Sequence, residues 1–300
     1  MQKKLIALAI AAAASGAAFA QTNVTIYGIA DVGYVGVDAD GGKFQHNINS
    51  GVLSTSRIGF KGAEDLGNGL KAIFTLEYGL AMDQDAGIGT NGGGLGARQQ
   101  FVGLTGGFGT VVAGRLQTAG LDYTVAGSAL GGSAAVGAIN QVSANADFPL
   151  LNSGSRANNA VAYISPSFGG VTVALNHSRL TESAADDDIK DNTATLVAVN
   201  YDGGPLTAGL VYGKVDVEKT IGTPAGVANI GGVVTPVPAV PTAKAKNADA
   251  TEWGLRAGYD FGVAKLQAAY QRAKLEQAGG DLKNNRWILS ATVPVTAKIG

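Results

Sequence analysis

The sequence predicts a transmembrane, up-and-down antiparallel β-barrel, and three observations support that prediction. Apolar and polar residues alternate in runs of about ten residues, which is the period of a strand with two different faces. Short turn signals and long variable segments separate these runs in strict alternation, as in outer-membrane barrels. No segment after the N-terminus is long and apolar enough for a membrane-spanning helix, so a chain that enters a bilayer must satisfy its backbone as a closed barrel.

Composition excludes several other classes of protein. The chain has 300 residues, 46% of them hydrophobic, with 45 Gly and no Cys. The lack of Cys rules out disulfide scaffolds, thiolate nucleophiles and Cys-ligated metal centres. With 22 basic and 23 acidic side chains the charges nearly cancel, so we expect no nucleic-acid partner. With only 2 His we expect no poly-His metal site, and we also expect no cofactor.

Residues 1–20 have the layout of a secretory signal peptide. The basic pair Lys3-Lys4 precedes an apolar run, and Ala18-Phe19-Ala20 forms a small-x-small cleavage site before Gln21. The apolar run is about half the length that a membrane-spanning helix needs. We therefore expect an exported protein whose folded domain covers residues 21–300.

Twelve runs with the periodicity of strands follow the signal peptide. In the first run, Val24 and Ile26 lie on one face, whereas Thr25 and Asp31 lie on the other. The runs are 22–36, 51–63, 68–80, 97–106, 108–117, 156–165, 169–180, 192–203, 205–216, 250–260, 263–274 and 284–294. Aromatic residues near the ends of the runs favour the girdles that flank a membrane: Tyr78, Phe101, Phe108, Phe168, Tyr201, Tyr259, Phe261 and Trp287.

Most charged residues of these runs share one face. Arg57 and Lys61 alternate with Ile58 and Phe60, and Arg98 lies on the face opposite Phe101. Lys71 and Glu77 likewise oppose apolar residues of their own run. Arg or Lys on the lipid face at the bilayer midplane would cost roughly 2–4 kcal/mol each. The charged face therefore predicts a polar, hydrated lumen.

Four stretches of the sequence resemble, in the same order, the general porins of Gram-negative bacteria, and most of all the betaproteobacterial ones. They are VTIYGIADVG (24–33), SRIGFKGAEDLGNGLKAIFTLEYG (56–79), RQQFVGLTGGFGTVVAGR (98–115) and NNAVAYISPSFGGVTVALNH (158–177). The resemblance implies a sixteen-stranded antiparallel barrel in the outer membrane, where it contacts lipid and lipopolysaccharide. It also implies a homotrimer and passive diffusion of small hydrophilic solutes and ions through a water-filled pore.

The resemblance further implies where the pore is narrowest. The third loop, residues 116–155, is expected to fold into the lumen, where wall arginines face acidic residues of the loop. The residues that match this constriction are Arg57, Arg98 and Arg156 on the wall and Asp122 on the loop. The further residues expected to line the pore are Asp31, Lys61, Lys71 and Glu77.

The sequence departs from the family in two respects. The third loop contains only two acidic residues, Asp122 and Asp147, so the arginines are in excess and we expect a weak to moderate preference for anions. The chain has about twelve predicted strands and stops at Gly300, whereas the family ends its last strand on an aromatic residue. We expect a chain that lacks its C-terminal strands, and the alternative is a smaller closed barrel with an even number of strands.

Three other kinds of protein share parts of this pattern. An outer-membrane adhesin or structural barrel would have a plugged lumen, and the many Gly, Ala and Ser residues of the third loop do not exclude a plug. A barrel enzyme would need a His/Ser or Asp/His group at the rim, and since the sequence shows none we expect no enzyme. A soluble secreted β-sandwich or β-helix is disfavoured because its strands are usually about five or six residues long.

Overall fold

A computed structural model describes the protein over residues 23–37, 44–85, 90–91, 94–127, 156–179, 193–216, 219–221, 226–230, 233–237, 243–245, 249–276 and 280–294. The predicted signal peptide, Asp147 with most of the third loop, and Gly300 lie outside the described residues. No helix within the described residues is long and apolar enough to cross a bilayer.

The described elements are twenty strands and one short helix. The strands are β1 (Asn23–Ile29), β2 (Val32–Val37), β3 (Gln45–Ser50), β4 (Arg57–Gly67), β5 (Leu70–Gly79), β6 (Thr90–Asn91), β7 (Gly94–Leu95), β8 (Ala97–Gly106), β9 (Gly109–Gln117), β10 (Arg156–Ile164), β11 (Val171–Arg179), β12 (Thr193–Gly203), β13 (Leu206–Asp216), β14 (Lys219–Ile221), β15 (Gly226–Ile230), β16 (Val233–Val237), β17 (Ala243–Ala245), β18 (Ala250–Asp260), β19 (Lys265–Leu275) and β20 (Leu282–Thr292). The helix is α1 (Ala119–Ala126), at the start of the third loop.

Twelve of the strands form one antiparallel sheet in which each strand pairs with its neighbours along the chain. The order is β1-β4-β5-β8-β9-β10-β11-β12-β13-β18-β19-β20. The remaining strands form two-stranded ribbons within the long connections, namely β2–β3, β6–β7, β14–β17 and β15–β16. This order confirms the predicted all-β, up-and-down antiparallel architecture. Within the described residues, β1 and β20 are the two edges of the sheet.

Short connections lie at one end of the sheet and long connections at the other, as predicted. The turn between β4 and β5 shows why the short ones are tight. Asn68 and Gly69 have φ angles of 52° and 77°, in the left-handed region that Asn and Gly adopt most readily. Their backbone geometry lets β5 return at once beside β4.

The first two predicted strands differ from the observed ones at their loop ends. The predicted strand 22–36 leaves the sheet after Ile29, and the chain continues into the β2–β3 ribbon. The predicted strand 51–63 joins the sheet only at Arg57. The other ten predicted runs match sheet strands to within a few residues.

Asp31 explains both differences. Its carboxylate accepts hydrogen bonds from the backbone N–H groups of Val52, Leu53 and Ser54, at 2.9 to 3.3 Å. The hydroxyl of Ser56, which is fully buried, donates to the Asp31 carbonyl oxygen at 2.8 Å and accepts from the Asp31 N–H at 2.9 Å. These bonds replace the sheet ladder at this point, so both strands are interrupted where Asp31 and residues 52–56 meet.

The predicted face of Phe101 is wrong. The prediction put its ring on the outer face, but it packs on the inner face against Val112 and Ile73. The cause is a β-bulge, since Glu77 of β5 lies opposite two residues of β8, Arg98 and Gln99. The extra residue reverses the alternation of side chains along the rest of β8.

The outer face of the sheet is apolar and exposed. It carries large side chains on strands across the whole sheet, including Val24, Ile26, Val102, Val161, Leu210, Leu255 and Leu289. A soluble monomer rarely exposes a continuous apolar surface of this extent. Paired rings mark its two margins, Tyr259 with Phe261 near the turns and Trp253 with Tyr270 towards the loops. The outer face therefore has the apolar band and aromatic girdles of a barrel in lipid.

Candidate functional site

Helix α1 lies against the inner face of the sheet and reaches across several strands. At its start, the Ala119 N–H donates a hydrogen bond to Oδ1 of Asn176 on β11, at 3.1 Å. At its end, Nε2 of Gln267 on β19 donates to the Ala126 carbonyl oxygen, at 2.8 Å. The first part of the third loop therefore folds inward, and its position is fixed by strands far apart in the sequence.

Tyr123 anchors the centre of the helix to the wall formed by β18 and β19. Its side chain is only 3% exposed, and its hydroxyl lies 2.7 Å from the carbonyl oxygens of both Leu255 and Tyr270. Burial raises the pKa of Tyr123 well above its usual range, so the hydroxyl remains a hydrogen-bond donor. Gly254 makes room for the ring, since a Cβ atom at that position would lie 2.6 Å from Tyr123 Cζ.

A cluster of charged side chains lies on the inner face of β4, β5 and β8. The carboxylate of Glu77 is 5% exposed and accepts a hydrogen bond from Arg98 Nε at 2.6 Å. Its other oxygen accepts a hydrogen bond from the Tyr27 hydroxyl at 3.0 Å and lies 3.7 Å from Arg57 Nε. One buried carboxylate therefore holds two arginines and a tyrosine together, which is the arrangement that a buried charge requires.

A second polar group links the wall to the helix. Arg156 Nη2 on β10 donates to Gln117 Oε1 at 3.4 Å, and Gln117 Nε2 donates to Asp122 Oδ1 at 2.5 Å. The amide of Gln117 therefore bridges the guanidinium of the wall and the carboxylate of the helix. Water reaches the Asp122 carboxylate from one side, but the protein that surrounds it on the other sides raises its pKa by desolvation. The hydrogen bond from Gln117 and the charges of Arg156 and Arg256 act in the opposite direction on this pKa.

Two arginines of the same region are not among the residues that the sequence predicts for the site. Arg115 Nη1 donates to Asn158 Oδ1 at 2.5 Å, and Arg256 Nη2 donates to Asn200 Oδ1 at 2.7 Å. Arg115 acts electrostatically on Arg156, and Arg256 acts on Asp122. The period-two alternation of β18 contained the signal for Arg256, whereas the left-handed φ of 140° at Gly114 breaks the alternation just before Arg115.

The structure brings together some of the residues that the sequence predicted for the site, and separates others. Arg57, Arg98 and Glu77 form the first group, and Arg156 and Asp122 belong to the second. Of the other three predicted residues, Lys61 borders the first group through Tyr27, whereas Asp31 and Lys71 lie apart from both groups. Asp31 holds the loop at residues 52–54, Lys61 Nζ lies 5.3 Å from the centre of the Tyr27 ring, and Lys71 is exposed beside the turn between β4 and β5.

Space remains beside the helix. A cavity of about 690 Å³ lies between the end of α1 and the wall. Its lining includes Ala126, Asn200, Asp202, Arg256, Lys265 and Gln267. The described part of the inward loop therefore narrows the interior without filling it, and the remaining space has a charged and polar lining.

Comparison with known proteins settles the family. The sequence profile of a family described as Gram-negative porin matches residues 7–299. The chain belongs to the Gram-negative porin family. The resemblance inferred from the four sequence stretches is thereby confirmed.

Two curated relatives are outer-membrane porins that are longer than this chain. Outer membrane porin protein 32 of Delftia acidovorans is 37% identical over 308 residues, covering 98% of this chain and 76% of the relative. An outer membrane porin protein of Bordetella pertussis is 31% identical over 323 residues, covering 100% of this chain and 76% of the relative. This porin is therefore a protein of the outer membrane of a Gram-negative bacterium.

Solved structures agree with this assignment. The chain is similar to an anion-selective porin from Comamonas acidovorans, with a TM-score of 0.66 and 30% sequence identity. The match covers 92% of this chain and 75% of that chain. OmpT of Vibrio cholerae, at 15% identity and a TM-score of 0.57, shares the fold, and that match covers 92% of this chain and 72% of OmpT.

Proposed function

We propose that this porin is a passive, general-diffusion channel for small hydrophilic solutes and ions, with a weak to moderate preference for anions. The observation that carries the proposal is the excess of arginine over carboxylate around α1. The described side chains of this region are Arg57, Arg98, Arg115, Arg156, Arg256 and Arg286 against Glu77, Asp122, Asp202 and Glu252. A hydrated passage lined in this way admits ions, and its charge favours anions.

The geometry indicates which charges remain available to a passing ion. Glu77 is shared by Arg57 and Arg98, so this group carries one surplus positive charge in total. Arg115 and Arg256 donate to the side-chain oxygens of asparagines, which are neutral. Arg156 meets the neutral amide of Gln117. Arg115 and Arg156 therefore keep most of their charge for solutes, whereas Asp122 and Asp202 partly offset the charge of Arg256. A similar protein that is described as anion-selective agrees with this inference.

The proposal also covers assembly and mechanism. We expect a homotrimer in contact with outer-membrane lipid and lipopolysaccharide, because the chain shares the family and the apolar outer face. Transport requires no chemical step, because a water-filled pore spares the solute the cost of dehydration and the inward loop restricts its size. The described residues contain no group of three or more His, Cys, Asp or Glu placed to hold a metal ion.

The test is the reversal potential of single channels in a planar bilayer under a KCl gradient. Arg156→Gln should lower the anion-to-cation permeability ratio, because it removes a guanidinium without exposing a buried carboxylate. We expect a change of roughly twofold at 0.1 M salt and a smaller one at 1 M, since the Debye length falls from about 10 Å to about 3 Å. Arg98→Ala should change the ratio in the same direction, but it also strips Glu77 of its closest partner.

Lys71→Gln is the matched control, because it removes one positive charge from the exposed turn end of β5. It should leave the permeability ratio nearly unchanged. A cation preference in the native channel, or an unchanged ratio in Arg156→Gln, would contradict the assigned selectivity. A folded protein that shows no conductance would contradict the channel itself and favour the plugged adhesive or structural barrel.

A further inference from the structure

Two basic side chains lie on the outer face of the sheet, at the loop end of the apolar band. Arg272 of β19 pairs in register with Trp253 of β18 on one side and with Asn285 of β20 on the other. Lys283 lies two residues before Asn285 on β20. Both side chains are exposed and share the outward face of their strands with Tyr270 and Trp287. They therefore project at the level where the aromatic girdle meets the polar headgroups.

The neighbouring lysines on this margin are neutralised, but these two cations are not. Lys274 forms ion pairs with Glu276 at 2.8 Å and with Asp281 at 3.1 Å. Lys214 is likewise bound to Asp216 and to Asp249. Within the part of the chain that the structure describes, neither Arg272 nor Lys283 forms an ion pair. The nearby acidic side chains already have basic partners.

The arrangement of these charges leaves a local excess of positive charge. Lys283 lies directly opposite Lys274 in the β19–β20 ladder, and Arg272 is the diagonal neighbour of Lys283. Like charges directly opposite each other in a sheet are destabilising, and diagonal neighbours about 7–8 Å apart are within reach of long side chains. Two carboxylates offset Lys274, so Arg272 and Lys283 together could share an anion from outside the chain.

A third donor completes the group. The Tyr270 hydroxyl donates a hydrogen bond to Asn285 Oδ1 at 3.1 Å, which fixes the amide. The amide NH₂ of Asn285 then points away from this bond and can donate to another acceptor. A guanidinium, an ammonium and an amide NH₂ within two rows of the ladder match the several acceptor oxygens of a phosphate group.

Below the group, on the side of the membrane interior, the same face is strongly apolar. Trp287 is 75% exposed and Leu289 is 71% exposed, and both follow Asn285 on the outward side of β20. Leu255 of β18 and Leu266 of β19 extend the apolar surface across the next two strands of the sheet. A ligand of this surface therefore has a phosphate head and acyl chains, and it lies in the leaflet on the loop side.

We propose that Arg272, Lys283 and Asn285 bind a phosphate of lipid A, whose acyl chains lie along Trp287 and Leu289. Lipid A meets both requirements, since it is an acylated, phosphorylated lipid and the long loops of outer-membrane barrels face outward. The proposal rests on the proposed contact of this porin with lipopolysaccharide. It is independent of the ion selectivity of the pore.

The two tryptophans of the chain make the site directly measurable. Trp253 is the register partner of Arg272, and Trp287 lies two residues beyond Asn285, so the whole indole fluorescence of the protein comes from this surface. Folded protein in detergent micelles is titrated with diphosphoryl lipid A and, separately, with the same lipid A stripped of both phosphates. We expect diphosphoryl lipid A to reach half of the full fluorescence change at a concentration at least tenfold lower than lipid A without phosphates.

The double variant Arg272→Gln/Lys283→Gln should bind both lipids equally weakly. Its matched control, Lys71→Gln/Lys265→Gln, removes two positive charges near the turns and should keep the tenfold difference. Equal binding of the two lipids by the native protein, or a preserved difference in the double variant, would overturn the proposal. A double variant whose native mass shows fewer subunits without any lipid would assign the surface to a second copy of the chain, which also overturns it.

Conductance separates this proposal from the proposed function. Arg272 and Lys283 lie on the outer face, so the double variant should show the single-channel conductance and reversal potential of the native protein. A protein that binds lipid A as expected but does not conduct would contradict the channel and leave the lipid site standing. A conducting protein that does not distinguish the two lipids would contradict the lipid site and leave the proposed channel standing.

Discussion

The two walls that hold helix α1 do so by different means. On the side of β10, the contact is a chain of polar side chains from Arg156 through Gln117 to Asp122, and its first bond is long, at 3.4 Å. On the side of β18 and β19, the buried hydroxyl of Tyr123 lies 2.7 Å from two backbone carbonyl oxygens. The first wall sets the charge around the passage, and the second sets the position of the helix.

Because the two sides hold the helix differently, the charge of the passage and the position of the helix can be changed separately. The side chains on the β10 side are partly hydrated, so their contacts contribute little to stability but much to the electrostatic potential that a passing ion meets. The contacts of Tyr123 are sheltered from water, so they fix the helix but carry no charge. Variants on the β10 side should therefore alter ion selectivity. Variants on the β18 and β19 side should alter the noise of the single-channel current.

The largest effect should come from Glu77, whose carboxylate is buried between Arg98 and Arg57 on the inner face. Glu77→Gln leaves Arg98 and Arg57 without a counter-charge while keeping nearly the same shape. Removing one partner of a buried pair costs roughly 3–5 kcal/mol, and we expect the lower end because Arg57 is only half-buried. The urea midpoint of the barrel folded into lipid vesicles, followed by circular dichroism, measures this loss.

The same variant should increase the anion preference, since it removes a negative charge from the passage. Asp65→Asn is the control, because this exposed carboxylate lies at the turn end of β4 and its replacement should shift the midpoint only slightly. If Glu77→Gln and Asp65→Asn have equal urea midpoints, the Glu77 cluster does not stabilise the barrel and contributes only charge to the passage.

Most of the fold follows from local signals in the sequence. Alternation of residue types and the positions of turn residues predicted all twelve strands of the sheet, because each signal depends on neighbours only a few residues away. The errors arose where distant residues intervene. Asp31 interrupts two strands through hydrogen bonds to residues 52–54, and the bulge at Arg98 and Gln99 turns Phe101 inward. Neither can be read from one strand alone.

The candidate site was predicted less completely than the fold. Resemblance to the family supplied Arg57, Arg98, Arg156 and Asp122, and the structure places them in two groups on the inner face. The anchor was missed, because Tyr123 contacts carbonyl groups 132 and 147 residues away. Backbone acceptors carry no signature in the sequence, so only the folded chain shows which tyrosine fixes the helix.

A smaller effect is expected from the anchor. Tyr123→Phe removes a hydroxyl worth about 0.5–1.5 kcal/mol and leaves two buried carbonyl groups without this donor. The helix should move more freely, so the open-channel current should become noisier while the permeability ratio stays the same. Single-channel noise spectra measure the change, and Tyr212→Phe on the outer face of β13 is the matched control.

Gly254→Ala tests the Tyr123 anchor by changing β18, the strand against which the ring packs. Its new Cβ atom would lie 2.6 Å from Tyr123 Cζ, so the ring and the helix must shift. Overpacking of this kind costs roughly 1–3 kcal/mol, and it should add the same noise as Tyr123→Phe. A quiet current in both variants would show that residues of the third loop outside the described range hold the helix.

The smallest effect should be a pH dependence of selectivity that originates at Asp122. Desolvation raises the pKa of Asp122, so its carboxyl takes up a proton at a higher pH than an ordinary Asp, whose pKa is about 3.9. As the pH falls through this raised pKa, the passage loses a negative charge and the anion preference of the native channel should increase. Reversal potentials measured in steps from neutral to acidic pH record this change.

Asp122→Asn separates this titration from that of other carboxyl groups. The variant should show the higher anion preference already at neutral pH and should lack the part of the pH response that begins above the ordinary Asp range. Because the folded chain favours the protonated form, the stability that this group contributes is complete at low pH and is lost as the pH rises through the raised pKa. Asp122→Asn should therefore be slightly more stable than the native protein at neutral pH. A pH response that is the same in both proteins would assign the titration to another group and would leave Asp122 as a hydrogen-bond acceptor for Gln117.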